Sequence, residues 1–219
     1  MKINVVENVL KANDAIAASN RQLFDQHRLL AVNLMSAPGS GKTSLLEKTM
    51  PALGPDNPCG VLVGDLQTTR DADRLGPFAL ETTQINTGQG CHLSAAQIAV
   101  AIKNFPLDRL AFLFIENVGN MVCPAQFDLG EHAKVVLLSV PEGDDKVAKY
   151  PTLFQQADVI LLTKIDLLGI LDYDVSRVRN DLSRINTRAP LIELSCRTSE
   201  GLGDWLDWLQ TQRASRTVR

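Results

Sequence analysis

Short apolar runs alternate along this chain with stretches in which apolar residues return every three or four positions. Runs at 29–35, 61–63, 110–115, 135–140, 159–163 and 191–194 lack the polar alternation of a half-exposed strand and predict strands buried on both faces. Between them, 44–50, 94–105, 174–186 and 202–212 carry helical periodicity. Ahead of the first strand, Val9, Leu10, Ile16, Ala17, Leu23 and Phe24 recur at heptad spacing and predict an amphipathic helix. The repeated strand–helix order implies an α/β fold: a doubly wound, mostly parallel sheet flanked by helices on both faces. The expected organisation is an N-terminal helix at 1–27 packed on a main unit at 28–219. A partner or dimer contact is the alternative use of that helix's apolar face.

Composition narrows the classes of function. At 219 residues the chain can bury a full core in one domain. A net charge of −3 and an isoelectric point near 5.6 provide no global basic field, which argues against nucleic acid as the main partner. Residues 1–10 are broken by Asn4, Glu7 and Asn8 and do not read as a secretion signal. No apolar run approaches the roughly 18 residues that span a bilayer, so the expectation is a cytoplasmic protein with no membrane contact. Four irregularly spaced cysteines read as thiols or metal ligands, not as a disulfide framework.

In a doubly wound sheet, ligands bind beyond the carboxyl ends of the strands, so the residues after each run are the site candidates. The first run ends in Ser36-Ala37-Pro38-Gly39-Ser40-Gly41-Lys42-Thr43, a phosphate-binding loop whose usual first glycine is replaced by serine. Gly39, Ser40, Gly41, Lys42, Thr43 and Ser44 are therefore the expected phosphate contacts. Lys42 brings charge to the outer phosphates, and the Thr43 hydroxyl is a Mg²⁺ ligand. Asp65, after the second run, is a candidate for Mg²⁺ or for a helix N-cap, with the hydroxyls of Thr68 and Thr69 beside it. Glu116, after the third, fits Mg²⁺ ligation or water positioning, and Gly119 allows a pivot around a γ-phosphate. Lys42, Asp65 and Glu116 are the catalytic candidates.

Thr163-Lys164-Ile165-Asp166 follows the fifth run. A carboxylate at Asp166 can accept two hydrogen bonds from the N1-H and N2-H₂ edge of guanine, which points to GTP and GDP; a surface Lys–Asp pair is the alternative. Lys164 either covers the base or supports the phosphate loop, and Thr163 stands where GTPases generally carry asparagine. Ser195, Cys196 and Arg197 fall where a guanine-contacting loop belongs, Cys196 reading as a packing thiol. Cys91, His92 and Cys123 form an S₂N set suited to Ni²⁺ or Zn²⁺, against the alternative of packed cysteines and a capping histidine. Cys59 reads as structural, and His27 and His132 as surface or loop residues.

These motifs together resemble the HypB family, GTPases that assist nickel insertion during [NiFe]-hydrogenase maturation. The resemblance extends over nearly the whole chain, from Lys11-Ala12-Asn13-Asp14 through the phosphate loop, Gly64-Asp65-Leu66-Gln67-Thr68, Gly90-Cys91-His92-Leu93 and Glu116-Asn117-Val118-Gly119-Asn120 with Cys123-Pro124, to Lys149-Tyr150-Pro151. It implies a GTPase that uses Mg²⁺ and binds nickel or zinc at Cys91, His92 and Cys123 on a GTP-dependent homodimer interface, and because no general base stands out in the sequence its hydrolysis is expected to be slow. Thr43, Asp65 and Glu116 would serve the Mg²⁺. It also implies that Lys149 reaches the partner's guanine, and that a HypA-type nickel chaperone and a hydrogenase large subunit are partners. The cysteine motif or histidine-rich stretch that many members carry before the GTPase domain is not seen in this sequence, so no nickel-storage role is implied. The urease-maturation relative differs in its Cys-Pro-His motif, because Ala125 follows Cys123-Pro124 here. A metal carrier whose nucleotide only assembles the dimer is the competing expectation; a small-molecule kinase is disfavoured by the 163–166 motif.

Overall fold

The computed structural model describes residues 5–65, 69–88 and 90–217. The chain runs α1 (Val5–Gln26), β1 (Leu30–Met35), α2 (Lys42–Leu53), β2 (Cys59–Asp65), α3 (Arg70–Leu75), β3 (Glu81–Asn86) and α4 (Ala95–Ala101). It continues through β4 (Phe112–Glu116), β5 (Ala133–Ser139), α5 (Lys146–Lys149), α6 (Pro151–Gln155), β6 (Val159–Thr163), α7 (Val175–Ile185), β7 (Leu191–Leu194) and α8 (Leu202–Thr217). The strands form one sheet in the order β3-β2-β4-β1-β5-β6-β7, and every neighbouring pair is parallel.

Alternate residues of each central strand feed opposite faces, which is why those runs are mostly apolar, without a polar face. Leu30, Val32 and Leu34 of β1, with Phe112 and Phe114 of β4, pack against Leu45, Leu46, Trp205 and Leu209 of α2 and α8. On the other face Ala31, Leu113 and Ile115 meet Phe24 of α1 and Ile98 of α4. Val136, Leu138, Ile160 and Leu162 pack against Leu153, Phe154, Val178 and Leu182 of α6 and α7. Burial of side chains of this size contributes about 1.5–3 kcal/mol each.

The sequence pattern missed β3. Its residues Glu81-Thr82-Thr83-Gln84-Ile85-Asn86 lie on the sheet edge, where only Ile85 is buried, so no apolar run marks it. The helices α3, α5 and α6 were also not anticipated, being only four to six residues long. The helix expected at 94–105 ends at Ala101 and continues as a 3₁₀ turn over Ile102–Asn104.

Helix α1 lies on the sheet with buried polar contacts to the segments around it. Asn20 Nδ2 donates to the carbonyls of Ala95 and Leu129 at 2.9 and 3.0 Å, and Asn13 accepts from Ala95 N at 2.9 Å. His132, expected at the surface or in a loop, lies in the loop just before β5 with a fully buried side chain. Its Nδ1 accepts from Ala31 N at 3.0 Å and its Nε2 lies 3.1 Å from Asp25 Oδ1. No described helix is long and apolar enough to cross a membrane.

Candidate functional site

Chain order reverses direction across the sheet at β1, which has β4 on one side and β5 on the other, and the loop after β1 opens at that crevice. Gly39 and Gly41 take positive φ of 78° and 99°, conformations that only glycine adopts without strain, and α2 starts at Lys42. Lys42 is buried, its ammonium donates to Ser36 Oγ at 3.0 Å, and burial holds its pKa below the usual lysine range. Serine in place of the first glycine thus supplies the acceptor that satisfies the lysine. A cavity beside the loop is lined by Gly39, Lys42, Thr43, Asp65, Glu116 and Gly119 among others. A Cβ on Gly119 would meet the ring of Pro38 at 2.9 Å, so the segment after β4 rests directly on the phosphate loop.

Thr43 Oγ1 lies 2.8 Å from Glu116 Oε1 and 3.0 Å from Asp71 Oδ1. Glu116 is 4% exposed, and burial pushes its carboxyl up to about 7, partly offset by Lys42. Its Oε2 is buried with no hydrogen-bond partner among the described residues. A hydroxyl, a nearby second carboxylate and an unpaired buried oxygen are hard ligands suited to Mg²⁺. Asp65 ends β2 and lines the same cavity; the α3 N-cap is Thr69, so the capping role weighed for Asp65 does not apply. Leu66–Thr68, and with it the hydroxyl expected of Thr68, lies outside the described residues. Sequence reasoning missed Asp71, and Arg74 which lines the cavity with it. Asp71 and Arg74 lie on one face of α3 at i and i+3, and the run of charges just after the Asp65 strand end was the available signal.

A second cavity of about 390 Å³, on the far side of the loop, is lined by Ser40, Ser44, Thr163, Lys164, Asp166, Ser195, Cys196 and Arg197, with Gly41 and Lys48. Thr163 Oγ1 donates to the Ser40 carbonyl at 2.7 Å and Lys164 Nζ to the Gly39 carbonyl at 2.6 Å. The threonine that stands where GTPases generally carry asparagine therefore makes a contact to the loop, and Lys164 supports the loop. Ser195 Oγ donates to Asp166 Oδ1 at 2.6 Å and Arg197 lies 3.5 Å from its Oδ2, so Ser195 and then Arg197 hold the carboxyl below its ordinary range. Cys196 is partly buried against the core, and burial pushes its thiol up to about 11. Lys149 does not line this cavity. It is 57% exposed and paired with Asp145 Oδ2 at 2.5 Å.

Cys91, His92 and Cys123 come together although the cysteines are far apart in the chain: one donor atom from each lies within 4.8 Å of the others. The Cys91 thiol is 3.6 Å from His92 Nδ1, and His92 stacks on Phe127 at 3.8 Å between ring centroids. Ser94, just after this loop, caps α4 with a reciprocal Ser94–Gln97 box that anchors one end of it. Soft sulfurs with an imidazole fit Ni²⁺ or Zn²⁺, and a four-coordinate ion needs a further ligand. Cys59 is buried in the core and its thiol is pushed up to about 12 by burial, an inert packing residue.

A phosphate loop at the switch point of a parallel sheet, carboxylates at the neighbouring strand ends and a second cavity beyond the loop define a P-loop nucleotide-binding protein. The CobW/HypB/UreG nucleotide-binding domain model matches residues 30–193, and the chain belongs to that family. It is 47% identical over 214 residues to the hydrogenase maturation factor HypB of Azotobacter vinelandii, covering 98% of this chain and 71% of the relative. The crystal structure of HypB from Helicobacter pylori in complex with nickel is similar at a TM-score of 0.88 and 41% identity, over 93% of this chain and 96% of that one. HypB from Archaeoglobus fulgidus is similar at a TM-score of 0.87 and 40% identity, over 93% of this chain and 100% of that one.

Proposed function

We propose that this protein is a metal-binding GTPase that couples GTP binding and hydrolysis to nickel delivery during [NiFe]-hydrogenase maturation. The observation that carries the reading is the Cys91–His92–Cys123 cluster lying just beyond the β4 end that bears Glu116. Its support from relatives is the naming of the A. vinelandii protein as a hydrogenase maturation factor and of nickel in the H. pylori complex.

In this reading the amides of Gly39, Ser40, Gly41 and Ser44 cradle the phosphates and Lys42 neutralises them. Asp166 accepts from the guanine edge, with Ser195 and Arg197 orienting it and Cys196 completing the cavity wall. Thr43, Asp65 and Glu116 hold Mg²⁺, directly or through water. When bound, that ion would supply positive charge to offset the charge on the outer phosphates. Asp71 and Glu116 are placed to orient an attacking water. Among the described residues neither is hydrogen-bonded to a histidine, in keeping with slow intrinsic hydrolysis. Nickel is the cargo at Cys91, His92 and Cys123, zinc being accepted by the same donors. The remaining ligands come from the second copy in a GTP-dependent homodimer, in which Lys149 exchanges Asp145 for the partner's nucleotide. A HypA-type nickel chaperone and the hydrogenase large subunit are the partners, and the cytoplasm is the compartment. Helix α1 is an accessory packed on the GTPase unit at 28–219.

Titrating Ni²⁺ into protein loaded with GDP or with a non-hydrolysable GTP analogue, with molecular mass measured in both states, tests the reading. Different affinities or stoichiometries are expected, and linkage requires nickel to change GTP affinity by the same factor. Indistinguishable titrations would overturn the coupling.

A further inference from the structure

The segment joining the two sites in space is not the covalent path from Glu116 to Cys123 alone. Leu93 follows His92 directly and is completely buried. Its side chain packs so tightly on β2 that a Cβ at Gly64 would lie 2.8 Å from Leu93 Cγ and Cδ1. Gly64 immediately precedes Asp65. The backbone N–H of Leu93 donates to Asn117 Oδ1 at 3.2 Å, and Asn117 immediately follows Glu116. Leu93 is thus held from two strand ends, each carrying a carboxylate that lines the phosphate cavity.

Asn117 is itself tightly placed. It is 1% exposed, its Oδ1 also accepts from Val118 N at 2.9 Å, and its Nδ2 donates to Asn33 Oδ1 of β1 at 3.2 Å. Asn33 is fully buried and donates to the buried Glu131 at 3.2 Å. A carboxamide so bound cannot turn away without leaving buried groups unpaired, at a cost of about 1–3 kcal/mol each. Displacement of the β2 or β4 end is therefore transmitted to Leu93, while the capped start of α4 holds the other side of the segment. Cys91 lies between these restraints and the turn in which Gly90 N donates to the Thr87 carbonyl at 2.8 Å.

We infer that Leu93, wedged on Gly64 and bonded to Asn117, is the positioning residue through which nucleotide state reaches the Cys91–His92 half of the metal site. The inference rests on the reading that nucleotide and metal are coupled, and adds the contact that carries the coupling. A contact of this kind moves the ratio of two affinities, not either affinity as such.

The test is the factor by which a non-hydrolysable GTP analogue, relative to GDP, changes the Ni²⁺ dissociation constant of the full chain. It is measured for the unaltered protein and for Leu93→Ala, Leu93→Met and Asn117→Ala. Leu93→Ala and Asn117→Ala are expected to bring the factor to within about twofold of unity, less than 0.5 kcal/mol of coupling. Leu93→Met, which preserves the volume of the wedge, is expected to keep it. The reciprocal effect of Ni²⁺ on analogue affinity must shrink in parallel. Leu93→Ala or Asn117→Ala protein that binds both ligands with the full factor would overturn the inference and leave the proposed function standing. A factor of one in the unaltered protein would instead remove the coupling reading itself. If Asn117→Ala does not fold, the pair Leu93→Ala and Leu93→Met decides the matter alone.

Discussion

The hydroxyl of Thr163, at the end of β6, donates to the carbonyl oxygen of Ser40 in the phosphate loop at 2.7 Å, across 123 positions of sequence. Thr163 is 2% exposed, so this carbonyl is satisfied in a place that solvent scarcely reaches. The β6 end, which lines the second cavity, is fastened to the phosphate loop there.

Removing the hydroxyl with Thr163→Val should therefore loosen the loop without changing the base contacts. The GDP dissociation constant is expected to rise about tenfold, in line with one buried acceptor left unpaired. Calorimetric titration checks it, and Thr163→Asn should recover most of the loss.

In the proposed function Asp166 selects the base. Asp166→Asn should weaken GTP binding by about 100-fold or more, since a carboxylate accepting from two N–H groups is replaced by an amide whose donor faces them. Xanthine nucleotides, with a carbonyl at that edge, should bind the variant better than they bind the original protein. Competition between the two nucleotides measures the switch directly.

Asp71 touches the Thr43 hydroxyl at 3.0 Å on the solvent side of the cavity. Asp71→Asn is expected to lower the hydrolysis rate by about 10- to 100-fold while leaving GTP affinity within about threefold, as removal of a water-orienting group does. Single-turnover hydrolysis with a parallel binding titration separates the two effects.

His132 makes stability pH-dependent. Burial, and then the Arg216 charge, pull its imidazole down to about 4. The unfolded chain, with an ordinary value near 6.5, therefore takes up a proton before the folded one does as pH falls. Stability should be fully present above about 6.5 and decline towards pH 4, by at most on the order of 3 kcal/mol for this group. Urea midpoints across that range check it, and His132→Gln should flatten the dependence.

Periodicity alone located most of the central strands, because β1, β4, β5 and β6 are covered on both faces and so are mostly apolar, with few polar residues such as Asn33. The edge strand β3 left no such trace, since its residues are mostly open to solvent or half-buried. The Gly-Lys-Thr loop, Glu116 and Asp166 were also legible, because each depends on a residue type at a fixed place after a strand.

What the sequence determined by itself was thus the identity of the chemical groups and the strand ends that bear them. Their partners were decided only by tertiary packing. Asp71 beside Thr43, Ser40 beneath Thr163, buried His132 on Ala31, and Cys123 brought to Cys91 all join distant segments. The reason is physical: helical and strand signals arise between residues a few positions apart. A contact across the sheet depends on which strands lie side by side and on how far each helix is pushed by what it covers, as Leu93 is held by Gly64 and Asn117 together.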